Sequence, residues 1–279
     1  MSAVFKVSGG GNDFLALVAP EREPSADEIR SWCARGLSIG ADGLFTLHRT
    51  AAGVRMRYWN ADGQPAALCI NGTRCAARLA LHLGWAEGSF PVTTDAGVFA
   101  ARAVAPTEIA IQLPAPEELA RKRVLELGGR AYEGWFVTVG VPHLVLVWPE
   151  SLAQVPVAAL GAALRAHPEF APGGTNVDFV RFPAPHRMEI RSFERGVEAE
   201  TLACGTGVLA ATAVGLLLNL AQLPLSAATL GGFTLTVDGQ TADSALKNWS
   251  LAGDARILGG VELTPEAGLP PPPPPHWSA

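Results

Sequence analysis

The chain has 279 residues, 48% hydrophobic and 17% charged, enough apolar sequence to fill one large core or two ordinary ones. Its 21 basic residues against 26 acidic ones give a formal charge of −5, and the basic residues are scattered rather than clustered. That distribution argues against nucleic acid or an anionic membrane surface as a partner, so an anionic ligand must be gripped locally.

The start, Met1-Ser-Ala-Val-Phe-Lys-Val7, shows no charged leader followed by an apolar stretch and a cleavage site. The longest apolar run, Val208 to Leu218, falls well short of the roughly 20 residues that cross a bilayer, so a cytoplasmic protein is expected. Four cysteines, Cys33, Cys69, Cys75 and Cys204, are too few and too dispersed for a disulfide framework, and the Cys69–Cys75 spacing fits no common zinc pattern. Free thiols in a reducing compartment are the simpler inference.

Taken in order, residues 3–7 and 14–19 read as strands around Gly9-Gly-Gly-Asn-Asp13, which sets Asn12 at a bend. Ser25 caps a helix over 26–35, with Glu28 completing a capping box. Gly40-Ala-Asp-Gly43 turns into a strand over 44–48. A strand over 54–59 and the polar turn Asn60-Ala-Asp-Gly63 lead to Cys69-Ile-Asn-Gly-Thr-Arg-Cys75, which opens an apolar helix. Strands near 91–94, 97–104 and 107–113 close this half, and Pro114-Ala-Pro116 marks a boundary.

The second half begins with strands near 123–128, 133–139 and 143–148 and a helix over 156–166. Strands over 177–182 and 187–193, and the turn Glu194-Arg-Gly196, lead to Thr201-Leu-Ala-Cys-Gly-Thr-Gly207 and an unbroken apolar helix that should be buried. Further strands fall near 233–238, 243–247 and 250–258, and the run Pro270 to Pro275 reads as a stiff extended tail rather than a proline-recognition ligand.

Strand, polar turn, thiol, helix therefore occurs twice, with the cysteines 204 − 69 = 135 positions apart, about half the chain. Either cysteine alone could be a small residue capping a core helix. The repetition points instead to duplicated halves facing one another. A helix N-terminus carries about half a positive charge and unpaired N–H groups, which stabilise a thiolate or a ligand carboxylate. With a carbon acid between Cys69 and Cys204, one sulfur could take its proton while the other returned one to the opposite face, the pair titrating as a coupled unit. The amides of residues 70–72 and 205–207 would hold the charge that develops on the adjacent carboxylate. The three lysines, Lys6, Lys122 and Lys247, stand in no setting that argues for a Schiff base, and neither a metal cluster nor a phosphate loop is visible, so chemistry without a cofactor is expected.

Gly11-Asn-Asp-Phe14, Gly40-Ala-Asp-Gly43, Asn60-Ala-Asp-Gly63, Cys69 to Cys75, Pro142-His143, Thr175-Asn-Val-Asp-Phe179, Glu194-Arg-Gly196 and Ala203-Cys-Gly-Thr-Gly207, together and in this order, resemble the diaminopimelate epimerase family over nearly the whole chain. The resemblance implies an α/β (α+β) fold of two pseudo-symmetric halves, each a strand barrel around a central helix, with the active site in the cleft between them. The halves would be 1–114, joined by 259–269, and 115–258, with 270–279 as the tail. It further implies that Cys69 and Cys204 are the base and acid pair, working without pyridoxal phosphate or metal. Asn12, Asn60, Asn176, Glu194 and Arg195 would grip the amino and carboxylate groups of a small amino-acid substrate. Ile70, Asn71, Gly205 and Thr206 would offer helix-end amides, and His143 and Glu194 would adjust the thiols' protonation. The expected reaction interconverts LL- and meso-diaminopimelate for lysine and peptidoglycan precursors, and a homodimer is compatible with it. The alternatives are a racemase of another polar amino acid such as histidine, and a binding protein that has lost catalysis, against which both thiols speak. Cys33 and Cys75 are expected to be structural.

Three positions depart from the family. Ile70 stands where glycine is usual; its amide survives, but a branched side chain resists positive φ and narrows the mouth of the site. Val141 replaces an asparagine that many members use to touch substrate, and Gly43 replaces a common glutamine. Each removes a polar group from a recognition position, so the reaction type is better supported than the substrate.

Overall fold

The computed structural model describes residues 3–113, 120–242 and 245–269. The chain separates into two compact units, one built from residues up to Phe99 and from Ala255 onward, the other from Ala100–Asp254.

In the first unit the hairpin of β1 (Ala3–Gly9) and β2 (Asn12–Val18) turns through Gly10 and Gly11, whose φ values of 61° and 85° disfavour any Cβ. Helix α1 (Ala26–Cys33) begins at the expected capping box of Ser25 and Glu28. Strand β3 (Gly43–Arg49) runs parallel to β2, and β4 (Val54–Asn60) antiparallel to β3. The short β5 (Pro65–Ala66) leads to α2 (Ile70–His82), after which β6 (Ser89–Thr94) runs parallel to β4. Helix α2 packs against β1, β2, β3, β4 and β6, so it forms the centre of its unit.

Strand β7 (Gly97–Ala105) carries the chain into the second unit, where it pairs with β8 (Glu108–Leu113). Strands β9 (Arg121–Leu127), β10 (Arg130–Val139) and β11 (Val141–Val147) are successively antiparallel. After α3 (Val157–Arg165), β12 (Asn176–Ala184) lies parallel to β11, and β13 (Arg187–Glu194) antiparallel to β12. The short β14 (Ala199–Thr201) leads to α4 (Gly205–Leu217), and β15 (Leu225–Thr229) runs parallel to β13. Strands β16 (Thr234–Ala242) and β17 (Ala245–Asp254) follow, and β17 also pairs with β8. The chain then returns as β18 (Arg256–Val261) along β1.

The order β1-β2-α1-β3-β4-β5-α2-β6 recurs as β10-β11-α3-β12-β13-β14-α4-β15, with the same parallel or antiparallel sense at each corresponding pairing. Even the outer strand repeats, since β18 flanks β1 as β9 flanks β10. The fold is thus mixed α/β, sheet-dominated, and made of two repeated halves. Helix α4, apolar all round, buries Val208, Leu209, Ala210, Ala211 and Val214 against β10, β11, β12 and β16.

The strands differ from expectation at two places. Those read over 243–247 and 250–258 are, within the described residues, β17, continuous over Ala245–Asp254, and the start of β18 after Ala255. Between the two expected strands β17 carries a bulge, where Asn248 takes a φ of 56° and the register with β16 shifts. Strands β14 and β15 were not legible as strands. The boundary at Pro114-Ala-Pro116 and the proline run lie outside the described residues. Among the described residues, no helix is long and apolar enough to cross a membrane.

Candidate active site

Each half places a cysteine at the N-cap of its central helix. Cys69 and Cys204 both adopt extended backbone, with φ of −133° and −109°. Their carbonyls accept the first helical bonds, from Thr73 and Val208. Each sulfur folds back over its helix to accept an N–H 3.4 Å away, from Gly72 in one half and Gly207 in the other. Both thiols thus meet the positive end of a helix in the same geometry. Ile70 opens α2 in helical conformation, so the expected conflict with positive φ does not arise, and its side chain is buried.

In the first half, Asn60 ends β4 and accepts a hydrogen bond from the Tyr58 hydroxyl at 3.0 Å. The Cys69 side chain lies near Tyr58, whose phenol is pushed up first by burial and then by the charge on that sulfur. Asn12 and Asn71 are joined directly: Asn71 Nδ2 donates to Asn12 Oδ1 at 2.8 Å, and the buried Arg74 donates to Asn71 Oδ1 at 2.7 Å. Asn12 Nδ2 in turn donates to Asp42 at 3.0 Å, and Arg35 bridges Asp42 and Asp13. Burial works against the charge on Asp13, yet Arg35 and Lys6 hold its carboxyl below the usual range. Cys33 lies in the core behind this network, its thiol pushed up to about 11 by burial, and Cys75 is buried within α2.

In the second half, His143 is fully buried, with Nδ1 2.7 Å from Asp178 Oδ2. Ser192 donates to the other carboxylate oxygen at 2.6 Å. Because a carboxylate only accepts, Nδ1 carries the imidazole proton and Nε2 presents its lone pair towards Asn176 Nδ2, 3.4 Å away. Asn176 Oδ1 accepts from the Arg195 amide at 2.8 Å, while the Arg195 guanidinium reaches the Gly173 carbonyl at 3.4 Å. Glu194 accepts from the Thr201 hydroxyl, and the Cys204 side chain lies near it. It retains a little surface, but the protein packed around it pushes its carboxyl up, helped by the charge on Asp178. Burial also pushes the Cys204 thiol well above the ordinary 9.0, and the charges of Glu194 and Asp178 act in the same direction. Thr206 contributes a hydroxyl 3.4 Å from that sulfur.

Strand register shows how the halves differ. Gly43 stands opposite Asn60, as Asn176 stands opposite Glu194 in the continuation of the β12–β13 register. Phe14 pairs with Gly43 and His143 with Asn176, while Phe45 faces Tyr58 and Asp178 faces Ser192. The hydrogen-bonded trio His143, Asp178 and Ser192 is therefore matched in the first half by an aromatic trio, Phe14, Phe45 and Tyr58, whose rings lie about 6 Å apart (Phe14 to Tyr58 5.9 Å, Phe14 to Phe45 6.3 Å). Sequence reasoning missed Tyr58, Asp178, Ser192 and Thr201. For Asp178 a signal existed: a lone carboxylate between Val177 and Phe179 in an apolar strand needs a buried partner.

The fold is shared by solved structures. A probable proline racemase from Agrobacterium radiobacter superimposes with a TM-score of 0.70 at 16% identity, covering 96% of each chain. A protein of the phenazine biosynthesis PhzF family from Enterococcus faecalis gives 0.69 at 18% identity, covering 94% of this chain and 100% of its own. A sequence profile described as diaminopimelate epimerase matches residues 4–112 and 135–248. The diaminopimelate epimerase of Aquifex aeolicus is 36% identical over 249 residues, 84% of this chain and 88% of its own length. That of Archaeoglobus fulgidus is 33% identical over 278 residues, 93% and 95% respectively. The chain is an isomerase built from two repeated halves. It belongs to the diaminopimelate epimerase family.

Proposed function

We propose that this chain interconverts LL- and meso-diaminopimelate by moving the α-proton between two thiols, without pyridoxal phosphate or metal, as a cytoplasmic step towards lysine and peptidoglycan precursors. The observation that carries this reading is the repeated cysteine, each at the N-cap of the central helix of its half with its sulfur 3.4 Å from a helix-end N–H. In the resting enzyme Cys204 is the thiol, since burial and two carboxylates disfavour its charge. Cys69, only partly buried at the start of α2, is the base. The Cys69 thiolate takes the proton from one face of the α-carbon, the electron pair passes into the adjacent carboxylate, and Cys204 gives its proton to the other face. The roles are then exchanged for the reverse reaction.

The helix-end amides of Ile70, Asn71, Gly205 and Thr206 carry the charge of the intermediate, which costs no reorganisation because they are fixed by the helices. Asn12, Asn60, Asn176 and Glu194 hold the amino and carboxylate groups, and Arg195 exchanges its long bond to Gly173 for a bidentate contact with a carboxylate. His143, oriented by Asp178, and Glu194 set the protonation of Cys204. Incubation with LL-diaminopimelate in deuterated water is the test. Meso product labelled at the α-carbon is expected; absence of both label and meso product rejects the reading.

A second reading, a racemase of another amino acid such as histidine, draws on two substitutions. Val141 opens β11 as Asn12 opens β2, and Gly43 is the counterpart of Asn176. Each half thus lacks a polar side chain that its counterpart has. Label exchange into histidine but not diaminopimelate, in a panel of amino acids, would select this second reading.

A further inference from the structure

The first half of the chain lacks the buried His–Asp pair of the second, because the equivalent positions hold Phe14 and Phe45. The one polar atom that this aromatic trio offers is the Tyr58 hydroxyl. Its position depends on Gly43: a Cβ at residue 43 would stand 2.7 Å from Tyr58 Oη and 2.6 Å from the Trp59 carbonyl. The missing side chain at 43 and the phenol at 58 therefore occupy one and the same space. Within it the hydroxyl donates to Asn60 Oδ1 at 3.0 Å, with the Cys69 side chain near enough to act on the phenol electrostatically.

We propose that Tyr58 is a positioning residue for the proton-transfer thiol of the first half, its hydroxyl bridging Asn60 and Cys69 and giving its single proton to the sulfur when Cys69 is a thiolate. This rests on the reading of Cys69 as one of the two reacting thiols. When Cys69 carries its proton, S–H donates to Tyr58 Oη and the phenol O–H donates to Asn60 Oδ1. When Cys69 is deprotonated, the phenol turns to the sulfur and releases Asn60 Oδ1. Burial, followed by the charges of Cys69 and Asp42, keeps the phenol itself protonated, so it serves as a permanent donor. Asn60, a residue expected to grip substrate, thereby senses the charge on Cys69, and substrate grip is coupled to proton transfer.

The test is Tyr58→Phe in the full chain, which keeps the ring against Phe14 and removes one oxygen. The rate of alkylation by iodoacetamide is followed against pH, with the Cys69 adduct located by mass spectrometry. The inflection is expected to move up by about one pH unit, a tenfold loss of thiolate below it, and the rising limb of kcat/KM should move with it. A folded variant with an unchanged alkylation profile overturns the proposal. A second measurement leaves the fold untouched: the chain has only two tyrosines, so biosynthetic 3-fluorotyrosine labels Tyr58 and Tyr132. The Tyr58 fluorine resonance should titrate with the midpoint of Cys69 alkylation and stop titrating in Cys69→Ser; a pH-independent resonance in the native chain overturns the proposal. Alkylation needs no turnover, so failure here is distinct from failure of the epimerase reading, which full activity in Cys69→Ala would reveal.

Discussion

His143 Nδ1 and Asp178 Oδ2 lie 2.7 Å apart with both side chains sealed from solvent, and Asp178 also receives Ser192 at 2.6 Å. A buried carboxylate held by two donors fixes one imidazole tautomer and one ring orientation. In Asp178→Asn the amide can turn its NH2 towards Nδ1 and force the proton to Nε2. Activity should fall about 100-fold, within the range that general acid–base positioning contributes. KM should change little, and Asp178→Glu should not restore the rate, because the longer side chain cannot keep both bonds.

Glu194 links stability to pH. Its carboxyl is raised in the folded chain, first by burial, so between the ordinary 4.5 and the raised value the folded state holds a proton that the unfolded state has lost. Stability contributed by this group is intact below the unfolded value and is lost as pH rises through the window above it. Glu194→Gln, which keeps the acceptor for Thr201, should therefore melt above the native chain at pH 8 and show no gain near pH 4, by calorimetry. Turnover should fall at least about 100-fold in the same variant.

Gly207 and Gly72 occupy the same place in the two halves, yet alanine should act differently at each. A Cβ at 207 would run into Asp178 Oδ1, an oxygen of a buried carboxylate held in place by Ser192 and His143, whereas at 72 it would meet the flexible tip of Met56 at 3.1 Å. Gly207→Ala should cost about 1–3 kcal/mol, as overpacking does, or about 2–4 °C in Tm per kcal/mol for a chain of this size. Gly72→Ala should cost under about 1 kcal/mol by the same measurement.

The thiols should also be distinguishable by reagent. Cys69 is partly exposed, while Cys33, Cys75 and Cys204 are buried. Native chain treated with limiting iodoacetamide at pH 8 should carry its first adduct on Cys69, by peptide mapping, and lose turnover in step with it. First modification at Cys33 or Cys75 would contradict the structure of the half-sites.

Much of this was legible in the sequence where the determinants are local. Ser25 and Glu28 announced α1, the glycines after Gly9 announced the first hairpin, and the cysteine–glycine segments announced two central helices capped by sulfur. What was not legible depends on which strand lies beside which. Tyr58, Phe45, Asp178 and Ser192 acquire meaning only once β3 is registered on β4 and β12 on β13, and nothing in their immediate neighbours fixes that register.

The central claim is that one sulfur removes the α-proton and the other replaces it. Early in the reaction in deuterated water, product and remaining LL-diaminopimelate should be separated and their α-positions examined by mass spectrometry. Two thiols predict deuterium in essentially every meso molecule and protium in the recovered substrate. Protium carried from substrate into product, or deuterium appearing in the substrate before product forms, would contradict the account.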